Sequence, residues 1–231
     1  MIELPFDINI LRITLAIGML GYASYTDVTK REISDFVWVI FGALAAILLI
    51  FEPNLTDALM NIGFALIVAP VVLIIWRIGF FGGADAFAII VLAALVPQIT
   101  LSDGMITPFT ILTNAVLISI IPLFLNLFRN VFELARKNDI FEGFSEPLGK
   151  KITAMFLGYR AKNPKYGFSI EKKAGKSKKL NLVLHHAEYA EFCTTPNTWI
   201  TPGVPYMLFI TAGFIAQLLF GDVIFNLFSS F

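Results

Sequence analysis

Six apolar segments alternate with polar connections along the chain and set the first expectation for its fold. They cover residues 8–26, 36–51, 58–76, 85–101, 108–128 and 204–228. A helix needs about 20 largely apolar residues to cross a bilayer, and somewhat fewer when its ends lie at the interface. The first segment has no basic residue before it, so we expect a retained helix rather than a cleaved signal peptide. The pattern predicts an all-α polytopic membrane protein with six transmembrane helices.

One polar stretch, residues 129–203, separates the fifth apolar segment from the sixth. It holds thirteen of the 17 Lys and Arg residues and turn-forming groups such as Asn163-Pro164. These features predict a small water-facing domain inserted between two parts of a membrane domain, residues 1–128 and 204–231.

The positions of the basic residues predict the orientation. Lys30, Arg31 and Arg77 lie on the same side as the insert, whereas only Arg12 falls toward the other side. Connections on that other side, 52–57 and 102–107, contain acidic residues but no Lys or Arg. Because basic residues concentrate in cytoplasmic loops, we expect a multi-pass protein of the cell membrane with both termini outside and residues 129–203 in the cytoplasm.

Composition supports the membrane class and argues against metal chemistry. The chain is 57% hydrophobic and 15% charged, whereas soluble domains carry about 25% charged residues. Its zero net charge gives no sign of a nucleic-acid partner, so membrane lipid is the expected surroundings. The single Cys193 cannot form an intrachain disulfide or a cysteine cluster, and the adjacent His185 and His186 point in different directions. We therefore expect neither a metal nor another cofactor.

Two aspartates are the candidate functional residues. Asp85 follows Gly82, Gly83 and Ala84 and directly precedes the apolar run 86–96. An ionisable group at the mouth of a membrane helix is costly to keep there, which marks it as a functional candidate. Asp27 ends a predicted helix that runs toward the cytoplasm, and Asp85 begins one that runs away from it. Both carboxylates should therefore face the cytoplasmic interface, where they could meet.

Two neighbouring carboxylates support one kind of hydrolysis. Since they cannot both ionise cheaply, the pair shares a proton. The ionised member can then deprotonate a water while the protonated member polarises a scissile carbonyl, as in aspartic proteases. Gly79, Gly82 and Gly83 lack side chains, which leaves room for a substrate strand beside the backbone that leads to Asp85.

The same residues allow other interpretations. Asp85 could be an N-cap for its helix, and Asp27 could form a surface ion pair with Lys30 or Arg31. A small membrane transporter or channel component could use both aspartates to relay protons or bind a cation. A non-catalytic assembly partner is a third possibility, and it would tolerate the loss of either carboxylate.

The motifs also resemble a known family. The segment from Gly82 to Asp85 resembles the GxGD motif of membrane aspartyl proteases, and Asp27 to Asp35 is similar to the first-aspartate segment of type IV prepilin peptidases. Trp199 to Pro205 resembles the approach to the last span in that group. Within the group, the chain is most similar to the archaeal preflagellin peptidases.

This resemblance implies that Asp27 and Asp85 are catalytic, that no cofactor is needed, and that the backbone of Gly82, Gly83 and Ala84 is approached by substrate. Its expected substrates are preflagellins or pilin-like precursors, which lose a short basic leader. Two positions depart from the family pattern: Ala84 replaces the second glycine of GxGD, and Phe87 stands where many prepilin peptidases have a basic residue. Methyl transfer is not carried over, because the cysteine-bearing region of bacterial members is missing.

Charged clusters in the insert carry two secondary hypotheses. The basic run Lys172 to Lys179 is expected to be a solvated loop with some attraction to anionic lipid headgroups. A nucleotide site is not expected there, because Ile170 stands where a P-loop needs glycine. The acidic residues could form a solvated face or a docking patch for a basic leader; they are Glu133, Asp139, Glu142 and Glu146.

Polar and proline residues within the apolar segments carry two further expectations. Gln217 and Asp222 are expected at the membrane interface, which would explain polar groups in the last segment. Pro70 and Pro122 are expected to kink the third and fifth helices.

Overall fold

The computed structural model describes residues 7–174, 177–182 and 190–229. The chain forms two compact units. The first unit contains Met1–Ile118 and Pro205–Phe231, and the second is Ser119–Val204. His185 and His186, which are not expected to bind a metal, lie outside the described residues.

Among the described residues of the first unit, all regular secondary structure is helical. The helices are α1 (Ile8–Lys30), α2 (Phe36–Leu48) with a 3-10 turn (Leu49–Phe51), α3 (Leu55–Ala65), α4 (Val68–Arg77), α5 (Gly83–Leu95), α6 (Thr110–Ile118), α9 (Met207–Phe220) and α10 (Val223–Ser229). Each predicted apolar segment overlaps at least one of these helices. The mostly helical fold is therefore confirmed.

The lengths of the helices support fewer membrane spans than the six predicted. Among the described residues, Ile8–Lys30, Leu55–Arg77 and Thr110–Ala135 are long and apolar enough to cross a bilayer. A fourth span is possible if Met207–Phe220 and Val223–Ser229, bent by 44°, form one broken span. Phe36–Phe51 and Gly83–Leu95 are apolar but shorter. Three or four candidate spans are thus supported by length and composition.

Prolines coincide with helix interruptions as expected. Pro70 lies in the first turn of α4, directly after the break at Leu66 and Ile67. Pro122 lies in the first turn of a helix that begins at Ile121. A proline is tolerated in the first turn because the backbone N–H that it lacks would have no partner within the helix.

Helix α5 lies at the centre of the first unit and packs against α1, α2, α4 and α9. Its buried positions are mostly small or β-branched, as at Ala86, Ala88 and Ile89. Small side chains allow close helix packing in membranes, where apolar burial alone does not drive association. The helix that carries Asp85 is therefore held on several sides.

Helices α6 and α9 also pack closely, and Gly213 allows a test of how tightly they fit. A Cβ added at Gly213 would lie 2.7 Å from the backbone nitrogen of Ala115 and 2.8 Å from the carbonyl oxygen of Ile111. We expect Gly213→Ala to lower the stability of the solubilised protein by about 1–3 kcal/mol, the usual cost of overpacking. Unfolding in mixed detergent micelles measures this. Gly42→Ala is the control, because a Cβ there meets no heavy atom within 4 Å; equal stability of both variants would contradict the prediction.

Arg12 is a buried contact between helices rather than only a basic residue near one end of α1. Its side chain is 2% exposed and forms an ion pair with Glu52, at 2.8 Å from Nη2 to Oε1. Its Nη1 donates to the carbonyl oxygen of Leu95, the last residue of α5, at 2.7 Å. This arginine therefore joins α1 to the C-terminal end of α5.

The second unit corrects the all-α prediction. It contains helices α7 (Ile121–Ala135) and α8 (Leu148–Leu157) and five strands: β1 (Tyr159–Ala161), β2 (Gly167–Ser169), β3 (Glu171–Ala174), β4 (Ser177–Leu180) and β5 (Thr198–Pro202). Strand β5 lies between β1 and β2 in an antiparallel sheet, and β3 pairs with β4. Strands this short leave little alternation to detect, since a pattern of period two needs four to eight residues.

The core of this unit forms around Trp199 on β5. The side chain is fully buried, its Nε1 donates to the carbonyl oxygen of Ile140 at 2.7 Å, and its ring stacks on Phe141 at 4.8 Å. Buried Asn130 of α7 donates to the carbonyl oxygens of Met155 and Gly158 at 2.9 and 2.7 Å. These bonds satisfy carbonyls at the end of α8.

The basic run does not form the loop that was expected. Most of it belongs to β3 and β4, and Lys178 Nζ lies 2.6 Å from Glu171 Oε1. Lys172 and Lys179, which pair across the two strands, are both exposed, as expected of a hairpin with one face toward solvent.

Candidate active site

Asp85 lies in the first turn of α5 and is 8% exposed. The helix begins at Gly83, two residues before the predicted start, and its N-cap is Gly82. Asp85 Oδ2 accepts a hydrogen bond from the backbone N–H of Gly82 at 3.0 Å. Asp85 is therefore not the N-cap itself, although it satisfies one backbone group at the helix start, as the third helical residue does in a capping box.

The glycine segment makes the turn that leads into this helix. Helix α4 ends at Arg77. Gly79 has φ +83°, a backbone conformation that residues other than glycine rarely adopt. Gly82 is extended, with φ −78° and ψ 165°. A Cβ at Gly82 would lie 3.5 Å from Asp85 Oδ2, which is ordinary contact. Gly82, Gly83 and Ala84 are partly exposed, and their approach by substrate stays a prediction.

Asp27 lies in the last turn of α1 and is half-buried. Its Oδ2 accepts a hydrogen bond from the backbone N–H of Met207, the first residue of α9, at 3.2 Å. One turn earlier on α1, Ser24 Oγ lies 2.8 Å from Thr211 Oγ1. The C-terminal end of α1 is thus joined to the N-terminal end of α9 by polar contacts.

The loop before Asp85 contacts the same end of α9. The rings of Phe81 and Tyr206 stack with centroids 5.6 Å apart and planes at 20°. Tyr206 is the residue directly before Met207. Asp27 and Asp85 therefore lie at the same end of the first unit. Asp27 is hydrogen-bonded to the start of α9, and Asp85 lies four residues after Phe81, whose ring packs on Tyr206 at the same helix start.

Sequence reasoning missed Phe81, Tyr206 and Met207 as parts of this site. Tyr206 directly follows the Trp199 to Pro205 segment, which was the one available signal. The Met207 N–H is a backbone group 180 residues from Asp27, and no sequence pattern indicates such a contact. Among the described residues, no group of three or more His, Cys, Asp and Glu side chains is arranged to hold a metal ion.

Gln217 and Asp222 are buried within the protein, and their placement at the membrane interface stays a prediction. Their side chains belong to a polar cluster at the break between α9 and α10. Asp222 Oδ2 accepts from Thr110 Oγ1 at 3.1 Å, and Gln217 Nε2 donates to the carbonyl oxygen of Ile99 at 3.1 Å. Buried polar groups in a membrane helix need such partners. This cluster lies at the other end of α9 from Asp27.

The acidic residues of the insert are partly engaged with partners of their own. Glu142 lies 3.6 Å from Arg160, and Glu133 accepts a hydrogen bond from Asn138 at 2.6 Å. Glu146 accepts from Lys150 Nζ at 2.9 Å and from the backbone N–H of Leu180 at 2.8 Å. The hydrogen bond from Lys150 holds the pKa of Glu146 below its usual value. Docking of a basic leader on these residues stays a prediction.

Comparison with known proteins identifies the family. A family model described as "Type IV leader peptidase family" matches residues 14–123, a range that includes both aspartates. A second, "Archaeal Peptidase A24 C-terminus Type II", matches residues 150–223. The chain belongs to the type IV leader peptidase family. It is a peptidase, and the alternative of a transporter or channel component has no support.

Two curated relatives agree with this family. The chain is 25% identical over 228 residues to a preflagellin peptidase of Methanococcus maripaludis, and the match covers 89% of this chain and 94% of that protein. It is 26% identical over 235 residues to a preflagellin peptidase of Methanocaldococcus jannaschii, covering 93% and 95% respectively. The resemblance to this family therefore extends over nearly the whole chain.

Proposed function

We propose that this member of the type IV leader peptidase family is a membrane aspartyl endopeptidase with Asp27 and Asp85 as its catalytic pair. One observation carries the assignment: both aspartates lie where the start of α9 meets the end of α1 and the loop before α5. Asp27 bonds to Met207, and Phe81 stacks on Tyr206. Two carboxyl groups that share a proton must lie close together, so the contacts that both segments make with the start of α9 support the proposed pair.

The proposed reaction needs only these two carboxyl groups and a water molecule. The ionised carboxylate removes a proton from water, whose oxygen attacks the scissile carbonyl carbon, while the protonated carboxyl donates its proton to the carbonyl oxygen. The tetrahedral diol then collapses: one of its hydroxyls returns a proton to the carboxylate that donated one, the C–N bond breaks, and the leaving amine takes a proton from the carboxyl that received one. The pair ends with the single shared proton with which it began.

The proposed membrane arrangement has six spans, both termini outside and residues 129–203 in the cytoplasm. The shorter apolar helices Phe36–Phe51 and Gly83–Leu95 would complete the six, as spans whose ends lie at the interface. The concentration of Lys and Arg on one side supports the orientation. In this arrangement Asp27 and Asp85 face the cytoplasm, and the three proposed domains are residues 1–128, 129–203 and 204–231.

The proposed substrates are preflagellins or pilin-like precursors with a short basic leader. Both relatives above are named preflagellin peptidases. A substrate helix that follows the leader would lie among the spans and present its start at the level of Asp27 and Asp85. The backbone of Gly82, Gly83 and Ala84 would then lie beside the scissile bond.

Cleavage by the solubilised enzyme tests this function. Purified protein in detergent should shorten a tagged preflagellin by the length of its leader, as followed by gel shift and mass spectrometry of both products. A peptidase needs no sealed bilayer, whereas transport does. Absence of cleavage both in detergent and in reconstituted vesicles would contradict the assignment.

The hairpin formed by β3 and β4, here called the basic hairpin, is expected to lie away from the site, because its lysines would repel a basic leader. We expect neutral substitutions of the lysines from Lys172 to Lys179 to leave kcat/KM within about threefold of the wild-type value, since solvent and salt screen distant charges. Charge reversal of Glu133 and Asp139 is the matched comparison: it should raise KM for basic leaders if those carboxylates dock them. A large loss of cleavage after the lysine substitutions would contradict the expected placement.

A further inference from the structure

We propose that Phe81 and Tyr206, here called the aromatic pair, are positioning residues that set the relative placement of the two aspartates. The inference rests on the proposed function. Neither ring is assigned a part in the chemistry. The aromatic pair lies where the loop that leads to Asp85 contacts the start of α9, to which Asp27 is hydrogen-bonded.

Each ring is one residue from a backbone N–H that holds a carboxylate. Tyr206 precedes Met207, whose N–H donates to Asp27 Oδ2 at 3.2 Å. Phe81 precedes Gly82, whose N–H donates to Asp85 Oδ2 at 3.0 Å. The ring stack therefore closes a short series of contacts that begins at one carboxylate and ends at the other.

Both donors lie at helix starts. Met207 is the first residue of α9, and Gly82 is the N-cap of α5. The free N–H groups and the positive end of the helix dipole at such a position hold an acceptor oxygen firmly. A shift of either helix start would therefore move the carboxylate bonded to it.

The loop between α4 and α5 is bonded to α4 at its start, where the backbone N–H groups of Gly79 and Phe80 donate to the carbonyl oxygens of Trp76 and Ile75. It contains Gly79 at φ +83° and ends at Gly82, so beyond these bonds its own backbone does less to fix the direction in which it enters α5. Stacked aromatic rings prefer a defined offset geometry. The observed centroid distance of 5.6 Å and angle of 20° fall within that preference. The aromatic pair thus fixes the entry to α5 against the start of α9.

Tyr206 is also held on its other side. Its ring packs edge-on against Phe209 of α9, with centroids 5.6 Å apart and planes at 64°. The ring of Tyr206 therefore has a fixed orientation on its own helix, and Phe81 is the side that moves when the loop moves.

A purely structural role would give a different result from positioning. Loss of packing lowers the stability of the protein, whereas misplacement of reacting groups lowers kcat; a displacement of 1 Å costs about 100-fold in rate. Substrate binding through its leader and apolar helix does not require the carboxylates to be aligned. We therefore expect the aromatic pair to affect kcat rather than KM.

The experiment compares Phe81→Leu, Tyr206→Leu, the double variant and Tyr206→Phe in the detergent cleavage assay. Each leucine variant should lower kcat by about 10-fold to 100-fold with KM within about twofold of the wild-type value. The double variant should be no slower than the slower single variant, because both changes remove the same stack. Tyr206→Phe keeps the ring and should retain wild-type kcat within about threefold.

Phe214→Leu is the control for packing alone. Phe214 is fully buried on α9, so its replacement should lower the melting temperature while leaving kcat unchanged. Wild-type kcat in both leucine variants, or additive losses in the double variant, would overturn the inference. If Tyr206→Leu failed to insert, Phe81→Leu alone would decide, because its ring is only partly buried. Retained cleavage in Asp27→Asn would instead overturn the proposed function, so the two failures are distinguishable.

Discussion

Asp27→Asn and Asp85→Asn should each lower kcat for leader cleavage by at least about 10³-fold. An asparagine has the same shape as an aspartate and keeps an oxygen that can accept the hydrogen bond from Met207 or Gly82. It cannot take a proton from water or give one to a carbonyl oxygen, and such proton transfers contribute about 10²–10⁴-fold each. Because the proposed pair works as a unit, the double variant should be no slower than either single variant.

Gel-shift cleavage of a tagged preflagellin by membranes holding each variant measures this effect. Asp35→Asn is the matched control. Asp35 is an exposed carboxylate at the N-cap position of α2, in the segment that follows Asp27, and its side chain makes no capping hydrogen bond. Asp222→Asn tests a buried carboxylate at the other end of α9. Full activity in either proposed catalytic variant, with normal insertion, would return Asp85 to a structural role at its helix start.

The hydrophobic pattern predicted much of the first unit, because the length of an apolar run in the sequence follows the length of the membrane helix that it forms. Helix α1, for example, covers the whole first apolar segment and extends four residues beyond it to Lys30, where basic residues end the apolar run. The prediction of the fourth helix was less accurate. It began at Asp85, whereas α5 begins at Gly83 and ends at Leu95 before Pro97. Glycines at a helix start carry little signal, since they fit a loop equally well.

The sheet of the second unit could not be predicted in the same way. Strand β5 includes the first four residues of the Trp199 to Pro205 segment, which was noted only as an approach to the last helix. Its partners β1 and β2 have three residues each. Pairing between such strands depends on residues more than 30 positions apart, as between Tyr159 and Ile200. Local propensity does not contain that information, because strand preference reflects neighbours across the sheet.

The candidate site, like the fold, has a part that was predicted from the sequence and a part that was not. The predicted topology puts Asp27 and Asp85 at one interface, because in that prediction the direction of each helix follows from the number of spans before it. The contacts that join them are tertiary: a backbone N–H from Met207 and a ring pair between Phe81 and Tyr206. Neither depends on residue identity in a way that a single sequence displays. Prediction therefore reached the candidate residues but not the groups that hold them.

The role of Arg12 was hidden for a similar reason, and its replacement should have the largest effect on stability. An arginine near the outer end of a membrane helix is usually explained by its extension to the interface. In the structure its partners come from two distant segments, Glu52 at 2.8 Å and the carbonyl oxygen of Leu95 at 2.7 Å. Three elements of the first unit are joined by this one side chain.

Arg12→Met should therefore destabilise the solubilised protein by about 3–5 kcal/mol, because it leaves Glu52, only 17% exposed, without its cationic partner. Replacing both residues, Arg12→Met with Glu52→Met, should recover part of this loss, since no buried charge is then left unpaired. Arg77→Met is the control, because the same change at an exposed helix end should cost less than about 1 kcal/mol. Unfolding in mixed micelles measures all three variants. A double variant less stable than Arg12→Met would show that the Leu95 contact, rather than the ion pair, provides most of the stability.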